Sequence, residues 1–260
     1  MNLDAVIFDW GGTLTPWHTI DPFECWLAVT ADQAQAAALH AAESSVWAAI
    51  KDDEHRSGTF DQILEQAALT LTEQQRRTYY QWWDAHSYTD PAVPELFGAL
   101  RQRGLKVGVL SNTTWPAAEH QRIFARDGVD HLIDGAVYSS EIAWAKPHPQ
   151  AFRAALDAVG VTDPGRAVYV GDRLFEDVFG ANRVGMHAVL VPHSDIPAAQ
   201  TTGIEGTPDA VVRELIELVP LLDDWLAGGL PARGRPDWKA RSERRTHLTD
   251  QSESRLAGLD

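Results

Sequence analysis

Beyond Asp90 the chain alternates short β-forming runs with amphipathic helical ones, and few folds accommodate that order. The spacing predicts strands at 106–110, 135–138, 167–170 and 187–191. Helices are predicted at 94–103, 116–127, 149–159 and 174–184, with a last one from 208 to about 226. Strands joined through helices run parallel, and a parallel sheet is stable when helices cover both faces through right-handed crossovers. Gly104, Gly160 and Gly185 stand where a helix should stop and the chain turn into the next strand. One more β-run, Ala5-Val6-Ile7-Phe8, comes long before the others and ends at Asp9, ahead of Gly11 and Gly12. The prediction is an α/β fold, a doubly wound parallel sheet, with Asp9 at the carboxyl end of the first strand, where such sheets bind ligands. Taken alone, Asp9 reads more readily as a strand-ending acid in a glycine turn than as a nucleophile.

Residues 16–89 interrupt this pattern. Ala-rich amphipathic stretches at 31–50, 60–71 and 73–86 predict a helical insertion, a cap on the sheet. Thr30 and Thr72, each followed three residues later by Gln33 or Gln75, are expected N-caps. Trp26, Trp47, Trp82 and Trp83 fall in helical stretches and are expected to pack rather than to cage a substrate. The chain thus divides into an α/β core (1–15 and 90–230), a helical cap (16–89) and a polar tail (231–260). The tail holds 7 basic and 5 acidic residues without an apolar stripe and reads as flexible.

A net charge of −15 opposes binding to nucleic acid or to an anionic membrane and favours a small-molecule partner. The single Cys25 excludes an intramolecular disulfide and a cysteine zinc cluster, and is expected buried in the insertion. No basic-then-apolar leader precedes the first strand, and no apolar run approaches the roughly 18 residues of a membrane helix. A cytoplasmic protein, monomeric or homodimeric, is expected.

Polar residues end three of the predicted strands. Asp9 follows the first, Ser111-Asn112-Thr113 follows 107–110, and Gly171-Asp172 follows 167–170, with Lys146-Pro147-His148-Pro149 lying between the last two. In this order the segments resemble the four motifs of the haloacid dehalogenase superfamily of hydrolases, from Leu3 to about Val191. The resemblance implies a Rossmann-like core and a phosphatase in which Asp9 attacks phosphorus and forms an aspartyl-phosphate that water hydrolyses. It implies that Ser111, the Asn112 amide and Gly12 hold phosphoryl oxygens, and that Lys146 neutralises charge and pairs with Asp9. It further implies that Asp9, the Gly11 carbonyl, Asp172 and Asp177 hold Mg2+, a hard cation suited to carboxylate oxygens. The substrate would be a small phosphorylated metabolite. His148, where the family often has Asp, is expected to be an exposed loop residue.

Gly11 departs from the pattern. Most phosphatases of this superfamily carry there a second Asp that protonates the leaving group and then activates water, and glycine does neither. Other superfamily members also lack that acid. Phosphonoacetaldehyde hydrolases use a cap lysine as a Schiff base, for which Lys51 is the candidate; 2-haloacid dehalogenases lack it but also lack the paired acids kept here as Asp172 and Asp177. A chain that binds phosphate without turning it over is the remaining alternative. Glu54, His55 and His18, with Trp17 beside it, are candidates to supply the missing proton.

Overall fold

The structure, a computed structural model, describes residues 3–16, 20–52, 54–192 and 206–231; Trp17, His18 and all but the first residue of the tail 231–260 lie outside the described residues. Six strands form one parallel sheet: β1 (Ala5–Phe8), β2 (Lys106–Ser111), β3 (Gly135–Tyr138), β4 (Ala167–Gly171), β5 (His187–Leu190) and β6 (Ala210–Val211). Their order is β3-β2-β1-β4-β5-β6. β1 is central, with Ile7 in register with Gly108 on one side and Tyr169 on the other. The chain therefore winds outward from β1 in both directions, and the switch point lies between β1 and β4.

Period-two alternation explains how the sheet is covered on both faces. Val6, Phe8, Val168 and Val170 meet α5 (Val93–Gln102), Phe124 of α6 (Ala117–Arg126) and α9 (Leu218–Gly228) in one cluster. Ala5, Ile7, Ala167 and Tyr169 meet α7 (Pro149–Ala158) and α8 (Gly180–Val184) in another. The doubly wound α/β architecture is thus the one the alternation predicts.

The C-terminal part differs from expectation. Where one helix from residue 208 was predicted, Ala210–Val211 pairs with β5, a 3-10 turn follows at Leu215–Glu217, and only then does α9 begin. An open edge beside β5 and a β-branched pair, Val211-Val212, outweigh weak local helix propensity. Asp209 fixes the approach by accepting from the Ala188 amide at 2.8 Å. The predicted helix 174–184 starts as a wide π-turn, Leu174–Phe179, before tightening into α8.

The insertion holds α1 (Pro22–Thr30), α2 (Gln33–Ile50), α3 (Phe60–Gln66) and α4 (Glu73–Asp84). Thr72 caps α4 as expected, reciprocally with Gln75, and Thr59 caps α3 the same way with Gln62. Thr30 does not cap α2. It is the last residue of an unanticipated helix, α1, and its hydroxyl donates back to the Trp26 carbonyl, while Asp32 accepts from Ala34 and Gln35 to open α2. Nor does α3 reach residue 71: it stops at Gln66, and the chain turns through Ala68 at a φ of 52°.

These helices share a core of Cys25, Trp26, Leu39, Ile63 and Tyr79, which Trp115, Ile123 and Ala145 of the α/β part complete. Trp47, Trp82 and Trp83 pack against it, and Cys25 is fully buried. The insertion is thereby seated on the sheet's carboxyl-end loops by apolar packing. Its two connections meet where the Asp90 amide donates to the Leu14 carbonyl at 2.8 Å. Arg126 ties the second connection to α6, reaching Asp84, the Ser87 carbonyl and Asp127.

Candidate active site

Parallel strands that stop in register bring their following residues to one edge. Asp9 follows β1 and Asp172 follows β4, the two strands flanking the switch point, and Ser111 closes β2. Asp177 lies in the π-turn after β4 and folds back, its Oδ2 accepting from the Arg173 amide at 2.9 Å. Gly171 is what lets it do so: a Cβ there would meet the Asp177 carboxyl carbon at 2.3 Å.

The Lys146 ammonium draws these pieces together. It donates to Asp9 Oδ1 at 2.6 Å, to Asp177 Oδ1 at 2.7 Å and to the Tyr169 hydroxyl at 2.9 Å, so each of its three N–H bonds has an acceptor. Tyr169 in turn donates to the Leu110 carbonyl at 3.1 Å. Asp9, Lys146, Asp172 and Asp177 are at most 5% exposed, so their charges act in a medium far less screening than water. Burial, opposed by Asp177 and Asp9, leaves the Lys146 ammonium above its ordinary range. Burial also raises Asp9, to about 6; Lys146 pulls it down, Asp177 raises it, and the Trp10 amide pulls it down.

Asp172 is left over. Neither of its carboxylate oxygens has a hydrogen-bond partner, and the nearest cation, Arg173 Nε, stands at 3.6 Å. Burial, then repulsion from Asp9 and Asp177, drives its carboxyl well above the usual range. Oxygens of Asp9, Asp172 and Asp177 lie within 4.8 Å of one another. Three carboxylates against one ammonium, with two oxygens unsatisfied, make a donor set that fits a hard divalent cation.

Two residues make contacts beyond those the sequence suggests. Asn112 was read for its backbone amide, yet its side chain grips the backbone of Lys146: Oδ1 accepts from the Lys146 amide at 2.7 Å and Nδ2 donates to its carbonyl at 2.9 Å. Gly12, expected to hold a phosphoryl oxygen, donates its amide to the Thr15 carbonyl at 2.9 Å, and its φ of 87° closes the loop after Asp9. Gly11 bridges to Thr15, its φ is not left-handed, and a Cβ built on it meets nothing within 4 Å. Ser111 is buried at the end of β2, its hydroxyl at 3.5 Å from the Asn112 carbonyl.

Tyr169 and the Asn112 amide clasp were missed in the sequence. The only signal for Tyr169 was its polar tip on an otherwise apolar strand, and for Asn112 its place directly after one. His148 is not a simple exposed loop residue: it is partly buried, its Nδ1 accepts from Gln150 to cap α7, and its ring stacks on Trp144 at 4.0 Å. Lys51 is exposed at the end of α2, Glu54 pairs with Arg56, and His55 Nδ1 faces the Ile50 carbonyl at 3.4 Å. Residues 55–57 instead dock on the loop before Lys146, through Ala145 N to His55 O at 2.9 Å and Ser57 N to Ala143 O at 3.2 Å.

The model of the family described as haloacid dehalogenase-like hydrolase matches residues 3–185. A glyceraldehyde 3-phosphate phosphatase of Methanopyrus kandleri is 36% identical over 130 residues, 49% of this chain and 54% of that protein. A phosphonoacetaldehyde hydrolase of Bordetella pertussis is 27% identical over 202 residues, 73% of this chain and 72% of that protein. The chain spans about half the length of the curated phosphatases it matches. A crystal structure of a phosphatase from Thermococcus onnurineus superposes with a TM-score of 0.62 at 22% identity, covering 85% of this chain and 98% of the other; that likeness speaks for the fold.

Proposed function

Since the chain belongs to the haloacid dehalogenase-like hydrolases, we propose that it is a magnesium-dependent phosphatase that forms an aspartyl-phosphate on Asp9 from a small phosphorylated metabolite. The observation that carries this reading is the convergence of Asp9, Asp172 and Asp177 around Lys146 at the switch point. The similarity to a glyceraldehyde 3-phosphate phosphatase over half its length supports phosphate monoesters as the substrate class.

Attack on an anionic phosphoryl group requires a positioned nucleophile and compensating positive charge. Lys146 orients the Asp9 carboxylate through Oδ1, leaving Oδ2 to approach phosphorus. Asn112 fixes Lys146 by its backbone, so ammonium and nucleophile keep one geometry. Ser111 and the Asn112 amide, at the end of β2, would meet phosphoryl oxygens. Asp9, the Gly11 carbonyl, Asp172 and Asp177 would hold Mg2+, which when bound neutralises phosphate charge. The insertion, seated over these loops, would exclude water and select the substrate.

The phosphonatase alternative is weaker here. A Schiff-base lysine needs a desolvated amine, and Lys51 is exposed. Purified protein should release phosphate from an aryl phosphate with Mg2+ and cease when a chelator is added. Asp9→Asn should lower turnover by at least ~10³-fold, as loss of an activated nucleophile does. Turnover equal to that of the unaltered chain would remove Asp9 from the nucleophile's role.

A further inference from the structure

Among the described residues, the side-chain donor bonded to Asp9 has no proton to spare, and the unpartnered Trp10 Nε1 and Thr13 Oγ1 on the loop beside it are far too weakly acidic to protonate a leaving group. Lys146 gives its three to Asp9, Asp177 and Tyr169, and Tyr169 gives its own to the Leu110 carbonyl. Arg173 carries a guanidinium, which does not act as an acid near neutral pH. His120, beside Trp10, is sealed among Trp10, Trp115 and Tyr138. His148 accepts at Nδ1 to cap α7, and burial and then the neighbouring Arg183 lower its pKa, so its remaining N–H is that of a neutral imidazole, which is no acid near neutral pH. Where a second acid would stand, Gly11 offers open space. Resting on the phosphatase reading above, we infer that the substrates are acyl, enol or aryl phosphates, whose leaving oxygen departs as a stable anion, and that the aspartyl-phosphate outlives its formation.

The steps balance without an added acid. An oxygen of the Asp9 carboxylate bonds to phosphorus, the bond from phosphorus to the leaving oxygen breaks, and that oxygen keeps the electron pair as a carboxylate, enolate or phenolate. An alkoxide formed in the same way would be far too basic to leave. In the second step water bonds to phosphorus, the bond to Asp9 breaks and returns its electron pair to the carboxylate, and both protons of the water leave on phosphate as H2PO4−. Nothing at Gly11 draws a proton from that water, so the second step is slow and phosphoenzyme accumulates.

The test compares acetyl phosphate, a graded series of substituted phenyl phosphates and glycerol phosphate on the full chain with Mg2+, and acid-quenches a reaction with 32P-labelled acetyl phosphate. Acetyl and activated aryl phosphates should exceed glycerol phosphate in kcat/KM by about 10²–10⁴-fold, the worth of one general acid. The quenched protein should carry label that hydroxylamine removes. Gly11→Asp should narrow the gap and shorten the life of the label, whereas Gly11→Asn, of the same size without the acid, should do neither. Equal turnover of glycerol and aryl phosphates overturns the inference; if Glu54→Gln, His55→Gln or His18→Gln then removes only the glycerol phosphate activity, that residue is the acid. A folded Gly11→Asp with an unchanged gap overturns it as well. Absence of both turnover and label with every substrate defeats the phosphatase reading itself, a result distinct from either.

Discussion

Both ends of the Asn112 amide are held by the backbone of Lys146, so one side chain sets the position of the cation that two carboxylates share. Asn112→Ala should lower kcat/KM for an aryl phosphate by about 10²-fold, the usual result of displacing a catalytic group by an ångström. Circular dichroism should show the fold retained; a loss of under threefold would mean that Lys146 needs no such clasp. His120 allows a separate measurement. Burial among aromatic rings lowers its pKa to about 3, and its Nδ1 has no hydrogen-bond partner. Because the folded value lies below the unfolded 6.5, the unfolded chain binds the extra proton between them. The stabilisation is therefore complete above pH 6.5 and lost as pH falls towards 3, at up to about 1.4 kcal/mol per pH unit. Asp9 and Asp172, with raised values, act in the opposite direction, so the quantity to measure is the difference in urea-derived stability between the unaltered chain and His120→Gln. That difference should change across pH 3.5–6.5 and stay constant above; parallel curves would show that His120 protonates freely in the fold.

Among the elements, α2 shows how a local pattern and its exception are read together. Ala36, Leu39, Glu43, Val46 and Ile50 form its buried stripe at helical spacing, and the third member is a carboxylate. Glu43 accepts from Trp26 Nε1 at 2.8 Å, yet burial raises its pKa above the ordinary 4.5, against the lowering effects of Trp26, His40 and Tyr79. Above pH 4.5 the folded chain holds a proton that the unfolded chain releases, so stability declines as pH rises through that range. Glu43→Gln keeps an acceptor for Trp26 and removes the charge. It should raise the thermal midpoint at pH 8 by the equivalent of on the order of 1 kcal/mol, with the gain vanishing near pH 4. A variant less stable at pH 8 would mean that the carboxylate is satisfied as an anion. The same helices mark the limit of sequence reading. The Thr72–Gln75 box was legible because both partners are local, whereas α1 begins at Asp21-Pro22 and carries Phe23, Cys25, Trp26 and Leu27 with too little polar contrast to display a period. β6 was hidden because it is two residues long and its partner, β5, ends at Leu190, well before Ala210 in the chain.

For the whole molecule, the winding of the sheet and the edge at which its acids gather follow from alternation and from what ends each run. Val107-Gly108-Val109-Leu110 running into Ser111 and Ala167-Val168-Tyr169-Val170 running into Gly171-Asp172 already place polar groups on one rim. Contacts between distant elements were not legible: Trp115, Ile123 and Ala145 completing the insertion's core, or residues 55–57 docking beside Lys146, depend on packing that no short-range period encodes. The central place of β1 has one more consequence. Its neighbours β2 and β4 lie about 100 and 160 residues further along, and both edges of β1 stay unpaired until they arrive. At 5–20 residues per second on the ribosome, the second neighbour is made roughly 10–30 s after the first strand. The four helices of the insertion have partners close in sequence, so the growing chain would hold a structured helical unit behind a bare apolar ribbon. That interval is when the chain is most open to misassembly, and when a chaperone has most to cover.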